Sequence, residues 1–153
     1  MKINAYFKHV SDTIYDGASK NIKLPCRATS GSAGYDFFAP NDIFLNPGET
    51  ITIPTGVRVF IEEGYVLMLF PRSGLGFKYR LTLDNTVGII DSDYFFSSNE
   101  GHIHIKMTNN GDKPLSVEAG NAFCQGVFLP YFITADDNAT NIRNGGFGST
   151  DKK

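Results

Sequence analysis

The chain has no tryptophan, three methionines and two cysteines in 153 residues. Cys26 and Cys124 stand far apart and form no CxxC pair, which removes the short-spaced thiol motifs of zinc and redox centres. Spacing alone leaves a disulfide between them open, although this composition fits a reduced, intracellular pair better. Long apolar runs are missing as well. The opening Met1-Lys2-Ile3-Asn4-Ala5-Tyr6-Phe7-Lys8 holds no apolar stretch of signal-peptide length, and no segment is long enough to cross a bilayer. An excess of one charge is also absent: 14 Lys and Arg stand against 16 Asp and Glu, a formal net charge of −2. That excludes a nucleic-acid binder working through a broad basic face. Together these absences imply a cytoplasmic protein with neither membrane nor nucleic acid as partner. A small anion stays open, because one local cluster of Arg and backbone N–H groups suffices to hold it.

Helical periodicity is almost missing too. What recurs is short apolar runs cut by Gly, Pro, Asn or Asp, the signature of an all-β sandwich or barrel. With 13 Phe and 7 Tyr, the aromatic content also favours strands. Strands are expected near residues 3–7, 43–45, 49–53, 56–61, 64–70, 102–107, 115–118 and 122–129. The Asn109-Asn110-Gly111-Asp112 stretch reads as a hairpin turn. His102 and His104 share one strand face and read as a solvent-facing pair, since no third ligand completes a metal set. Residues 95–101 read as an extended polar loop. The organisation expected is a β core over 1–135 and a flexible arm over 136–153.

Five stretches carry chemistry. Asn85-Thr86-Val87-Gly88-Ile89-Ile90-Asp91-Ser92-Asp93-Tyr94 reads as a hairpin that delivers Asp91 from an apolar pair, where partial desolvation makes a carboxylate a usable general base. At Gly88 the chain suits a bulge or close approach by a ligand. Ala33-Gly34-Tyr35-Asp36-Phe37-Phe38-Ala39 sets Asp36 in an aromatic strand, where Asp is depleted. In Pro71-Arg72-Ser73-Gly74-Leu75, Pro71 stops a strand and Ser73 is a candidate N-cap. A short helix there offers free backbone N–H groups to an anion beside the planar fork of Arg72. Gln125 lies in an otherwise apolar run and needs partners for its amide. Last, Arg143-Asn144-Gly145-Gly146-Phe147-Gly148-Ser149-Thr150 reads as an arm that closes over a ligand.

In this order and spacing the five stretches resemble the five motifs of the trimeric all-β deoxyuridine triphosphatase (dUTPase) family, from about residue 22 onward. The resemblance implies a distorted jelly-roll or β-clip barrel with one short helical segment. It implies a homotrimer whose sites are shared, one subunit giving the first, second and fourth motifs, another the third and the last the arm. It also implies a dUTP diphosphatase that yields dUMP and pyrophosphate, limiting uracil in DNA and supplying dUMP for thymidylate synthesis.

Roles follow by the same resemblance. Asp91 activates a water that attacks the α-phosphorus, and Gln125 holds the α-phosphate and that water. Arg72 stabilises developing charge while Ser73 and the Gly74 N–H grip the phosphates. Mg²⁺ is held by the triphosphate and waters, with no direct protein ligand, and Asp36 acts through the water shell or on Arg72. Backbone groups from Gly88 through Ile89 to Ile90, with Asn85, read uracil; Tyr94 packs under the sugar and excludes a 2′-hydroxyl. Phe147 stacks on the base, and Arg143, Gly148, Ser149 and Thr150 close on the γ-phosphate. The fourth motif departs from the pattern at Asn121 and Ala122, and Arg143 lies one residue nearer the double glycine than is usual. Two rivals are a dCTP deaminase of related fold, which the Gly-Phe-Gly-Ser-Thr ending disfavours, and a β-sandwich whose main task is binding a protein, which intact Asp91, Tyr94 and Gln125 disfavour.

Overall fold

Alternating apolar and polar side chains in short runs give this chain its strands, and turn residues cut them before they grow long. A computed structural model describes residues 1–146; Phe147, Gly148, Ser149 and Thr150 lie outside the described residues. In chain order the strands are β1 (Ala5–His9), β2 (Cys26–Arg27), β3 (Tyr35–Phe38), β4 (Ile43–Leu45), β5 (Thr50–Pro54), β6 (Val57–Ile61) and β7 (Tyr65–Pro71). The helix α1 (Ser73–Tyr79) follows, then β8 (Leu81–Leu83), β9 (Gly88–Ile90), β10 (His104–Asn109), β11 (Leu115–Val117) and β12 (Ala122–Pro130). They form four antiparallel sheets: β1 with β6, β4 with β11, the order β5-β10-β8, and the order β2-β3-β12-β7-β9. Among the described residues the fold is all-β with one short α-helix. No helix among the described residues is long and apolar enough to cross a membrane.

Inward side chains of these sheets make one core, in which Phe37, Leu67, Leu69, Ile103, Ile105, Met107, Leu115 and Phe123 are all buried. Each such side chain contributes ~1.5–3 kcal/mol by leaving water. Cys124 lies in this core with its thiol pushed up to about 12 by burial, and both cysteines are free. The thiol is chemically quiet for that reason.

Several local expectations are corrected. The stretch around Asp91 is not a paired hairpin: β8 bonds to β10 while β9 bonds to β7, so the chain crosses between sheets there. The turn around Asn110 also joins two different sheets. Asn109 is fully buried, and its amide donates to the carbonyls of Leu45 and Lys113 at 3.0 and 2.8 Å, while its Oδ1 accepts from Gly111 N. Those bonds send the chain toward β4 instead of back along β10.

His102 and His104 do not face solvent. His102 is 3% exposed and the two rings hydrogen-bond to each other. Ser73 is not the N-cap of α1. Arg72 holds that position in extended backbone, with no side-chain capping bond, so Ser73 opens the helix. The loop expected over 95–101 begins two residues late, since Phe95 and Phe96 belong to the 3-10 turn Ser92–Phe96. Arg58 ties that turn down: its guanidinium lies 3.7 Å from the Phe95 ring centre and donates to the Phe95 carbonyl. Glu100 completes that anchor by accepting from the backbone N and Oγ of Ser11 at 2.8 and 2.7 Å.

Candidate active site

Strand β7 organises two groups of candidate residues, one at each of its ends. At the end near Pro71, β12 runs beside it with Gln125 opposite Phe70, and β3 runs beside β12 with Asp36 opposite Gln125. This register puts Asp36, Gln125 and the chain entering α1 in one neighbourhood. The Gln125 amide donates to the Pro71 carbonyl at 3.2 Å, and Arg72 Nε lies 3.3 Å from Asp36 Oδ1. Asp36 is mostly covered while Arg72 is about half exposed, so the guanidinium keeps an open side for an anion. Ser73 and Gly74 follow in the first turn of the helix, where backbone N–H groups lack intrahelical partners.

Gly34 fixes the amide of Gln125. A Cβ at residue 34 would overlap Gln125 Oε1 and come within 3.3 Å of its Cδ. Only a residue without a side chain lets the glutamine occupy that place. Gly88 has a related reason, in packing. A Cβ there would stand 3.0 Å from that of Leu69, so the glycine lets β9 lie close on β7.

At the other end of β7 the second group forms. Gly88, Ile89 and Ile90 pair with Leu69, Met68 and Leu67, so the chain runs toward the start of β7 and delivers Asp91 past the level of Leu67. A cavity of about 360 Å³ opens there, lined by Asn85, Gly88, Ile89, Ile90, Asp91, Tyr94, His104 and Arg143 among others. Tyr94 is 7% exposed; its hydroxyl donates to the His102 carbonyl at 2.6 Å and accepts from the Asn99 amide at 2.9 Å. Burial pushes this phenol up, with the Asn99 bond and Arg143 opposing. Asp91 is half exposed and sits at the N-cap of the 3-10 turn, where its carbonyl accepts from Tyr94 N at 3.2 Å and its carboxylate makes no capping bond. Its carboxyl is raised by burial, lowered by Arg143, and raised by the neighbouring charge of Asp93.

Arg143, in the arm, donates from Nη2 to Asp91 Oδ2 at 2.6 Å and from Nε to Asp93 Oδ1 at 2.8 Å. Where the resemblance implies different subunits for the third motif and the arm, this chain brings Arg143 and Gly146 to its own Tyr94 and Asp91. Asp93, Asn99, Gly34 and the pair His102 and His104 were not singled out from sequence as site residues. The alternation of the histidines was visible, but sequence gives no sign of which face is covered.

Asp91 and Arg72 lie at different levels of β7 within one chain. From the level of Asp91, beyond Leu67, to Arg72, beyond Pro71, β7 spans about six residues. At roughly 3.3 Å per residue that is about 20 Å. Among the described residues no group of three or more His, Cys, Asp or Glu is gathered as a metal site.

The family model described as dUTPase matches residues 20–151. The deoxyuridine 5'-triphosphate nucleotidohydrolase of Lactococcus lactis subsp. lactis is 42% identical over 132 residues, 84% of this chain and 88% of that protein. Among solved structures, the dUTPase from Streptococcus mutans superposes with a TM-score of 0.71 at 38% identity, covering 84% of this chain and 97% of the other. A point mutant of the dUTPase from phage phi11 of S. aureus, 23% identical, gives a TM-score of 0.68 over 90% and 97% of the two chains; that protein coordinates a structural Mg(II) ion.

Proposed function

The chain belongs to the dUTPase family and is a dUTP diphosphatase, and we propose that each of its sites is built from groups at opposite ends of β7 in different copies, in a homotrimer. The observation that carries this reading is the separation of Asp91 from Arg72 along that strand. One copy supplies Asp36, Arg72, Ser73, Gly74 and Gln125 to the phosphates. Its neighbour supplies Asn85, Gly88, Ile89, Ile90 and Tyr94 to the deoxyuridine, and Asp91 to the attacking water.

In this reading Asp91 takes a proton from water as the oxygen attacks the α-phosphorus, and pyrophosphate leaves in line. Such a step asks mainly for positioning and charge neutralisation. Desolvation supports Asp91 as the base by raising its affinity for a proton above that of a free carboxylate. Gln125, held by Gly34 and the Pro71 carbonyl, orients the α-phosphate. Arg72 and the first N–H groups of α1 meet charge that builds on the leaving oxygens. Arg143, Phe147, Gly148, Ser149 and Thr150 close the site, Phe147 on the base and the others on the γ-phosphate. Asp36 is the carboxylate on the phosphate side and Arg72 engages it, so the donor set fits an outer-shell role toward Mg²⁺, which would be held through the triphosphate and waters and would neutralise phosphate charge.

The base pocket selects by hydrogen bonding. Uracil and cytosine present reversed donors and acceptors, so the wrong base leaves buried backbone groups unpaired. The test is pyrophosphate release from dUTP, dCTP, dTTP and UTP by the intact protein and by Asp91→Asn. Rapid release from dUTP alone is expected, and a fall of ~10²–10⁴ in kcat for the variant, the usual worth of a general base. An Asp91→Asn protein with full turnover would remove the proposed base.

A further inference from the structure

Two imidazoles behind the cavity wall are left unused by the hydrolytic step. His102 precedes β10 and His104 opens it. Gly56 N–H donates to His102 Nε2 at 2.9 Å. A ring nitrogen that accepts a hydrogen bond carries no proton, so neutral His102 carries its proton on Nδ1. That nitrogen lies 3.0 Å from His104 Nε2. His102 is therefore the donor and His104 the acceptor, and neutral His104 holds its own proton on Nδ1. The rings meet edge to face at 4.3 Å, with Tyr15 against the outer side of His102. The same His102 receives the Tyr94 hydroxyl on its carbonyl, and His104 lines the cavity that Tyr94 lines.

We infer that His102 and His104 form a tautomer-locked pair that sets the wall of the deoxyuridine pocket, with His102 a positioning residue for both the His104 ring and the depth of Tyr94. The inference rests on the reading of this cavity as the nucleoside pocket. Its physical content is a conflict that acid creates. A proton on His104 Nε2 would aim two N–H groups at each other across 3.0 Å. His102 cannot move its proton to Nε2, because the Gly56 N–H occupies that lone pair. The pair is neutral or it comes apart.

The surrounding charges do not reverse this. Glu100 favours a charged His102, and Arg58 balances Glu100 at 3.9 Å. Around the cavity Asp84 pairs with Lys106, and Asp91 and Asp93 pair with Arg143. Burial holds both imidazoles below the ordinary histidine range. When acid separates the rings, His104 leaves its place in the wall and Tyr94 loses a fixed tether. Nucleoside binding suffers, while Asp36, Arg72 and Gln125 at the other end of β7 are untouched. Asp91 is held by Arg143 and by neither ring, so the effect belongs in KM more than in kcat.

Ring-nitrogen NMR on the full chain, with dUTP hydrolysis by the wild type, His104→Gln and His104→Leu from about pH 8 to about pH 5.5, tests the pair. Glutamine can accept from His102 Nδ1 but does not titrate; leucine cannot accept. The result expected is an Nδ1–H tautomer on both rings at about pH 8, and a wild-type KM that rises about threefold more than that of His104→Gln toward acid, with kcat ratios within about twofold. The leucine variant should show a raised KM at every pH. An Nε2–H tautomer on His104, a glutamine variant that follows the wild-type pH profile, or a leucine variant with wild-type KM would each overturn the pair. Wild-type protein that released no pyrophosphate from dUTP would instead sink the reading of the pocket, while the tautomers would still judge the pair.

Discussion

Arg143 and Asp91 are ion-paired at 2.6 Å, through a guanidinium that also reaches Asp93 at 2.8 Å. The residue proposed to take a proton from water thus carries its counter-charge on the arm. Removing that charge leaves burial and Asp93, both of which raise the Asp91 carboxyl. Arg143→Ala is therefore expected to move the acid limb of kcat/KM to higher pH, as well as weakening dUTP binding. A pH–rate profile checks this, and an acid limb that stays put or moves to lower pH would mean that Asp91 does not titrate in the rate.

Gly34 and Gln125 give a second prediction. Because a methyl group at residue 34 overlaps the glutamine amide oxygen, Gly34→Ala should push Gln125 off the Pro71 carbonyl. A loss of about 10–100-fold in kcat is expected from a misplacement on the scale of 1 Å. Melting temperature measured on the same protein separates this from unfolding: Gly34 sits before β3 and not in the core. Unchanged kcat would show that Gln125 has no positional demand.

Stability should depend on pH through His102. Its folded value of about 4 lies below the ordinary 6.5, because burial disfavours the charged ring. The unfolded chain therefore binds the proton more readily, and stability is full above about pH 6.5 and declines as pH falls toward about 4. The difference corresponds to ~3 kcal/mol. His102→Gln keeps an acceptor for the Gly56 N–H without titrating, so its melting temperature should fall less steeply over that window. Parallel slopes for the two proteins would assign the acid loss to carboxylates elsewhere.

Much of the fold was legible in the sequence because its cause is local. Residues 57–61 alternate buried and half-exposed side chains as a strand on a core must, and Pro71 ends β7 where no further ladder bond can form. Strand partners were less legible. Asn-Gly after β10 is a good hairpin signal, yet the buried Asn109 amide turns the chain to β4 by bonding Leu45, 64 residues away. The histidine pair shows the same limit. Their alternation identifies a shared face, but Gly56 and Tyr15, which cover it, come from distant segments. The site residues could be picked out one by one; that β7 holds Asp91 and Arg72 at opposite ends is a matter of register, which sequence does not state.

The central claim is that Asp91 of one copy works with Gln125 and Arg72 of another. Co-expressing Asp91→Asn and Gln125→Ala chains under different tags, and purifying the species that carries both, tests it most directly. Each variant alone should be nearly inactive. In a trimer that carries both chains, about one site in three combines two intact halves, and roughly a third of wild-type dUTP hydrolysis should return. A mixed species no more active than either variant alone would contradict a site shared between chains.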